Sequence, residues 1–472
     1  ADAGAASWAL GEIANPAADT IAQLLATERG DDRYSVATSR ELLIAASKIR
    51  PLDFEAVAPY LNSHDAELRW AAAYAVGRQR ARAGVSALLD ARAPNARFRA
   101  ELARVLARQT VGDSLRGRAI ARLRALVLDP DPYVRINALH SMGSFGPIAR
   151  STILHAFHDR DANVRVAAAQ SSATAFDTVT SAWRTARNAD PAYMVRRSLL
   201  EAAATRGVTL PADSIWRGAS DWRLRYAAVG AWSGATDTLR ARTVALRATH
   251  DADSRVREAA YGVLIASDTA HRDSVVQQAL LAARSDPDSI VRNLMPGARV
   301  RARSVDTTVV ERPIEWYENA VRRVVIPSLR GKPLHAVMRT VRGRIVITFD
   351  GVRAPLTVLN FATLAEKRTY DNVRFHRVVP GFVAQDGDPR GDGEGGPGYA
   401  IRDELTLLPY ARGAVGMALS GPDTGGSQYF LTLAPQPHLT GHYTVFGLVT
   451  SGLGAMDALV QGDLINSIRI NW

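Results

Sequence analysis

Several groups of residues in this 472-residue chain have types and spacings that could do chemistry. Gly391-Asp392-Gly393-Glu394-Gly395-Gly396 matches G-x-G-x-x-G, a pattern whose backbone cradles phosphate when it opens a helix. Here Pro397 follows instead, and two carboxylates inside the pattern repel phosphate, so the dinucleotide reading fails. Asp386, Asp388, Asp392 and Glu394 crowd enough oxygen for calcium into one stretch, but the spacing is not that of an EF-hand, and a solvated loop is the plainer account. His155 and His158 lie one helical turn apart and read as helix-surface residues, while His438 and His442 lack the Glu of a zinc-protease helix. Neither a G-x-S-x-G elbow nor a P-loop occurs. With no cysteine in the chain, thiolate catalysis, disulfides, Cys-ligated zinc and iron–sulfur clusters are excluded. No metal and no cofactor is expected.

The surrounding chain is too long for one core, since single domains usually stop near ~250–300 residues. At 47% hydrophobic and 22% charged it has the composition of a globular protein, and no run of about 18 apolar residues suggests a membrane span. The net charge is +11, and from Gly331 onward 13 Lys and Arg face 12 Asp and Glu, so nearly all the excess lies in the first 330 residues. Only Lys48, Lys332 and Lys367 are lysines. The arginines recur at regular intervals instead of clustering with aromatics, which points to a structural use and away from nucleic acid.

Their recurrence is that of a repeat. An Asp or Asn, an aliphatic, an Arg and a run of small residues return in Asp65–Leu68-Arg69-Trp70-Ala71-Ala72, Asp131–Val134-Arg135-Ile136-Asn137-Ala138 and Asp161–Val164-Arg165-Val166-Ala167-Ala168. The pattern continues in Asp190–Val195-Arg196, Asp221–Leu224-Arg225, Asp253–Val256-Arg257 and Asp288–Val291-Arg292. With Arg40 and Arg99 added, the arginines step by about 30 residues, which suits two short helices per unit. This resembles the HEAT family, in which the Arg and Asp form a ladder between repeats; roughly eight or nine repeats are expected over residues 1–297. Ser7-Trp8-Ala9-Leu10-Gly11 aligns with Ala73-Tyr74-Ala75-Val76-Gly77, so the chain is expected to open inside a repeat and to belong to a longer protein.

Pro296-Gly297 ends the pattern, and residues 298–336 read as a connector with a helix-like stretch at Trp316–Val325. From Val337 the period changes to two, as in Arg342–Phe349, and glycines become frequent, a β-rich signature. Phe375-His376-Arg377-Val378-Val379-Pro380-Gly381-Phe382-Val383-Ala384-Gln385 then resembles the signature of the cyclophilins, the peptidyl-prolyl isomerases. Gly395–Tyr399, Gly413–Ala418, Gly426–Phe430 and Tyr443–Gly447 follow in the family's order, and Ala354–Phe361 matches its first helix. The resemblance covers residues 337–472 and implies a closed eight-stranded antiparallel barrel capped by two helices. The fold class expected is therefore multidomain α + β, a HEAT-repeat solenoid followed by a cyclophilin barrel.

Rotation about a peptide bond must break amide resonance, at a barrier of about 18–20 kcal/mol. A donor aimed at the prolyl nitrogen makes that nitrogen pyramidal and weakens the C–N bond, and a guanidinium suits the task because it is always charged and rigid. The resemblance implies that Arg377 is this donor, with Phe382 and Gln385 beside it. Phe382, Val383, Phe430 and Leu439 would hold the proline ring, Gln385 would bond the substrate backbone, and His376, Ala418, Leu419, Gln428, His438 and Tyr443 would complete the groove and rim. Val383, Leu419, His438 and Tyr443 stand where Met, Asn, Trp and His are usual in eukaryotic members; His438 speaks against tight cyclosporin binding, and Asp386 replaces a common Gly.

The function expected is isomerisation of X-Pro bonds in protein clients, with the repeats as an interaction scaffold. The alternative is a non-catalytic scaffold whose barrel only binds proline-containing segments. A third reading, a HEAT-like enzyme such as a bilin lyase, finds no catalytic group in the repeats. Partners expected are proline-containing peptides and other proteins, with neither nucleic acid nor a membrane span; the absence of cysteine favours a bacterial periplasm or cell envelope.

Overall fold

The computed structural model describes residues 2–13, 17–27, 36–79, 83–91, 93, 95–176, 189–205, 218–233, 235, 237–268, 272–294 and 312–472. They divide into two compact units, Ala1–Val276 and Gln277–Trp472. Pro296-Gly297 and the first part of the connector, 298–311, lie outside the described residues.

The first unit is helical. Helices at Ala66–Gln79, Ala96–Val105, Pro132–Gly143, Ala162–Ala175, Tyr193–Thr205, Trp222–Gly230 and Ser254–Ser267 each carry the repeat arginine as their fourth residue. Asp131, Asp161, Asp221 and Asp253 cap these helices, their carboxylates accepting N–H groups of the first turn. The helices are built from small residues because they pack closely: Ala71, Ala72, Ala73 and Ala75 are fully buried. At Gly143 a Cβ would lie 2.9 Å from that of Ser171.

The arginine ladder is present, and its aspartates differ from those of the sequence signature. Arg99, Arg135, Arg165 and Arg225 make two-pronged pairs with Asp129, Asp159, Asp190 and Asp251. The third guanidinium nitrogen of Arg135 donates to the carbonyls of Asp129 and Pro130, at 2.8 and 3.1 Å. Arg165 and Arg225 do the same five and six residues back. Asp131, Asp161 and Asp253 are caps, and the ladder falls two positions earlier; Asp190 is the signature residue that does pair. Further arginines stack on aromatics, Arg97 over Trp70 at 4.3 Å, Arg223 over Tyr193 at 3.9 Å and Arg255 over Trp222 at 3.5 Å.

The second unit begins in helical sequence, with Ser289–Asn293 capped by Asp288. After residue 312 come Ile314–Ala320, a π-helical turn Val321–Val325 and Ile326–Leu329. Ala320 and Val324 are buried in the same core as the sheet that follows.

That sheet has nine strands: β1 His335–Thr340, β2 Gly343–Phe349, β3 Val373–Arg374, β4 Arg377–Val379, β5 Val383–Asp386, β6 Ala414–Met417, β7 Tyr429–Thr432, β8 Val445–Ser451 and β9 Leu464–Asn471. All described pairs are antiparallel, in the order β3-β9-β1-β2-β8-β6-β7-β5-β4. In place of a closed eight-stranded ladder, the sheet has two ends, β3 and β4, which follow each other in the chain. The reason is local: the segment 373–379 bends at Phe375-His376, so its first half pairs with β9 and its second with β5. The alternation read in the sequence holds in β2, whose Ile345, Ile347 and Phe349 point into the core. Helix Pro355–Glu366 covers this core, with Phe361 against Phe349, Tyr370, Tyr429 and Phe446. Ala354 cannot cap the helix, and the Glu404 carboxylate takes the N–H groups of Leu356 and Thr357 at 3.0 and 2.8 Å instead.

Candidate active site

The residues read as a site converge through strand register. Arg377 on β4 stands opposite Gln385 on β5, which stands opposite Phe430 on β7, which stands opposite Gly416 on β6. Directly opposite residues share a face of a sheet, so this register alone puts a guanidinium, an amide and an aromatic ring in one row. Gly416 is glycine because the row is crowded: a Cβ there would collide with the Phe430 ring and lie 2.5 Å from Tyr410 Oη.

Beside the row lies an apolar cluster separate from the main core, formed by Val383, Tyr410, Ala414, Phe430, Leu439 and Val445. Phe382, Leu408, Ala418 and Tyr443 are half-buried against it. Phe430 is 5.5 Å from the Tyr410 ring and 5.9 Å from that of Tyr443, edge-on to the latter. His438 stacks on Phe382 at 5.7 Å, and the Arg377 guanidinium carbon is 5.4 Å from the same ring. Phe430 and Val383 therefore belong to a cluster apart from the main core of the sheet.

The polar edge is a chain of hydrogen bonds. Arg377 Nη1 donates to Gln385 Oε1 at 3.3 Å, and Gln385 Nε2 donates to Gln428 Oε1 at 3.1 Å. Gln428 Nε2 donates to the carbonyls of Gly393 and Gly395, both at 2.8 Å. Arg377 has no carboxylate partner among the described residues, and partial burial pulls its pKa below the ordinary arginine value, with Tyr443 opposing. It is a charged donor left unneutralised.

Two residues expected in the groove and rim, Leu419 and His376, make further contacts. The Leu419 side chain packs on the main core, leaving only its backbone for the groove. His376 lies with its ring against Gly393, where a Cβ would be 3.6 Å from its Cδ2. Burial lowers the His376 pKa, and Asp388 and Asp392 oppose the shift. Asp386 points away from Gln385 into the core, fully buried; burial pushes its pKa up to about 8.

Sequence reasoning did not single out Tyr410 and Leu408, which carry no motif, or Ala414 and Val445, which lie inside two of the motifs; folding brings all four into the cluster. Sequence reasoning also missed Gln436, whose Nε2 holds the Gly381 carbonyl at 2.8 Å and so fixes the turn before Phe382. The acidic loop is organised around one carboxylate: Asp388 accepts N–H groups from Arg390, Asp392 and Gly393 at 2.7, 2.9 and 2.6 Å.

Comparison with known proteins agrees with this geometry. Residues 335–470 match the family described as cyclophilin type peptidyl-prolyl cis-trans isomerase/CLD, and residues 85–173 match HEAT repeats. A peptidyl-prolyl cis-trans isomerase of Helicobacter pylori is 46% identical over 160 residues, 33% of this chain and 94% of its own. Peptidyl-prolyl cis-trans isomerase B of Bacillus subtilis is 51% identical over 119 residues, 25% of this chain and 83% of its own. A solved cyclophilin type isomerase of Cryptosporidium parvum is 30% identical, covering 30% of this chain and 98% of its own at a TM-score of 0.29. The family match over residues 335–470, with relatives 46% and 51% identical that the chain covers to 94% and 83% of their length, makes the chain a member of the cyclophilin family of peptidyl-prolyl cis-trans isomerases.

Proposed function

We propose that this isomerase turns over X-Pro bonds of protein clients with Arg377 as the catalytic donor. The observation that carries the assignment is the Arg377 guanidinium, unpaired with any described carboxylate, beside the pocket of Phe382, Val383, Phe430 and Leu439. A proline ring seated there presents its nitrogen to the guanidinium, which stabilises the pyramidal nitrogen of the twisted amide. Gln385 spends one Nε2 hydrogen on Gln428 and keeps the other for a substrate carbonyl. Ala418, the Leu419 backbone and Gln428 line the neighbouring groove, and His376, His438 and Tyr443 frame it. We read the segment 373–379 as the seam that closes the sheet into a barrel. No helix among the described residues is long and apolar enough to cross a membrane. The repeats over 1–297 serve as the client-binding scaffold, joined by the connector 298–336 to the isomerase at 337–472, and the cysteine-free composition supports an extracytoplasmic bacterial setting.

Uncatalysed exchange takes tens to hundreds of seconds. Exchange NMR on a short Ala-Pro peptide should show acceleration by the chain and a loss of about 100- to 1,000-fold in Arg377→Ala, the usual worth of one preorganised donor. Equal acceleration by both proteins would remove Arg377 from the mechanism, and none by either would leave a binding scaffold.

A further inference from the structure

The Gln428 amide has only one workable orientation. Its nitrogen faces two carbonyls, Gly393 and Gly395, so its oxygen must face Gln385. That oxygen accepts from Gln385 Nε2, which turns Gln385 Oε1 toward Arg377. The direction of every bond in the relay is therefore dictated from the far end, by two carbonyls of the loop 388–395.

That loop is held at two points. Inside, Asp388 is fully buried and its carboxylate gathers the N–H groups of Arg390, Asp392 and Gly393. Gly395 packs so closely on the same carboxylate that a Cβ would collide with Asp388 Oδ1. Outside, the Arg390 guanidinium bonds Asp392 on its own loop at 3.0 Å and reaches Asp288 at 3.4 Å. Asp288 is the cap of the helix Ser289–Asn293, within the same compact unit. Asp288 keeps its cap through Oδ1 and offers Oδ2 to Arg390.

We propose that loop 388–395 is a positioning device for the catalytic arginine, set from within by Asp388 and steadied from outside by the Arg390–Asp288 contact. The inference rests on Arg377 being the donor. Asp388 and Asp288 touch no substrate; they act through the Gly393 and Gly395 carbonyls, Gln428 and Gln385. A segment that ends the repeat pattern thereby bears on the geometry of the isomerase site.

The test is steady-state isomerisation of an Ala-Pro peptide by the full chain, with kcat and KM determined separately. Asp388→Asn exchanges one acceptor for a donor facing a backbone N–H, and kcat should fall about 10-fold with KM changed less than about 2-fold. In the Arg377→Ala background the same substitution should cost nothing further, because the residue it positions is gone. Asp288→Asn, which keeps an oxygen for the helix cap, should lower kcat by about 2- to 3-fold and likewise lose its effect when Arg377 is alanine. Wild-type kcat in Asp388→Asn, or equal losses with and without Arg377, overturns the proposal. An Asp288→Asn chain equal to wild type overturns the outer support. If Arg377→Ala itself runs at wild-type rate, what fails is the catalytic assignment, and the two failures are thus distinct.

Discussion

Asp386→Asn should make the second unit more stable at neutral pH and remove a pH dependence that the wild-type chain carries. Asp386 is fully buried beside the Tyr370 and Tyr429 hydroxyls, with Asp388 two residues away. Its Oδ1 accepts the Gly387 N–H at 2.6 Å, and its Oδ2 has no hydrogen-bond partner among the described residues. Burial raises its pKa to about 8, the Gly387 N–H opposing and Asp388 adding to the shift. An unfolded aspartate titrates near about 3.9, so between the two values the folded state holds a proton that the unfolded chain lacks. Stability is then full at low pH and falls as pH rises toward 8, by about 1.4 kcal/mol per pH unit and so about 3 kcal/mol from pH 5 to 7. Asparagine keeps the shape and the acceptor for Gly387 without the ionisation. Hydrogen exchange of sheet amides such as Ile347, Phe446 and Ile468 in the intact chain measures the opening free energy at each pH. The gap between variant and wild type should widen by about 3 kcal/mol in favour of asparagine across that range. Parallel profiles from pH 5 to 8 would refute the reasoning.

Two further substitutions probe the pocket and the repeats. Gly416→Ala should displace the Phe430 ring from the place proposed for it beside the proline, lowering kcat/KM for an Ala-Pro peptide at least about 10-fold and stability by about 1–3 kcal/mol; unaltered kinetics would show that the ring position is not critical. Arg135→Ala removes a buried guanidinium that bonds Asp159 twice and two loop carbonyls, leaving the aspartate uncompensated. It should destabilise the first unit by about 3–5 kcal/mol in urea unfolding, and a loss below about 1 kcal/mol would show the ladder to be ornamental.

The repeat period, the change from a helical to a strand period after residue 336, and the Phe-His-Arg run were legible in the chain because each rests on local rules. Helix capping, small-residue packing and strand alternation act over a few residues, so their spacing is written directly in the sequence. The ladder was half legible: arginine spacing announced it, but which aspartate pairs and which one caps depends on where the next helix begins. The closed eight-stranded barrel was expected from the resemblance, and the observed ladder has nine strands with ends at β3 and β4, because two residues of bend divide one segment between two neighbours.

The type of chemistry was implied by the resemblance that the Phe-His-Arg run and its companion motifs carry in the sequence. What only the tertiary structure decided was their arrangement. Cross-strand register put Arg377, Gln385 and Phe430 in one row, although 43 residues separate Gln385 from Gln428, the next amide of the relay. Pairing over such distances depends on which strands become neighbours, and no local preference encodes that. The same holds for Tyr410 in the apolar cluster, for the buried Asp386 with its raised pKa, and for Asp288 reaching Arg390 across 102 residues. Each takes this role from burial and from neighbours that only the folded chain supplies.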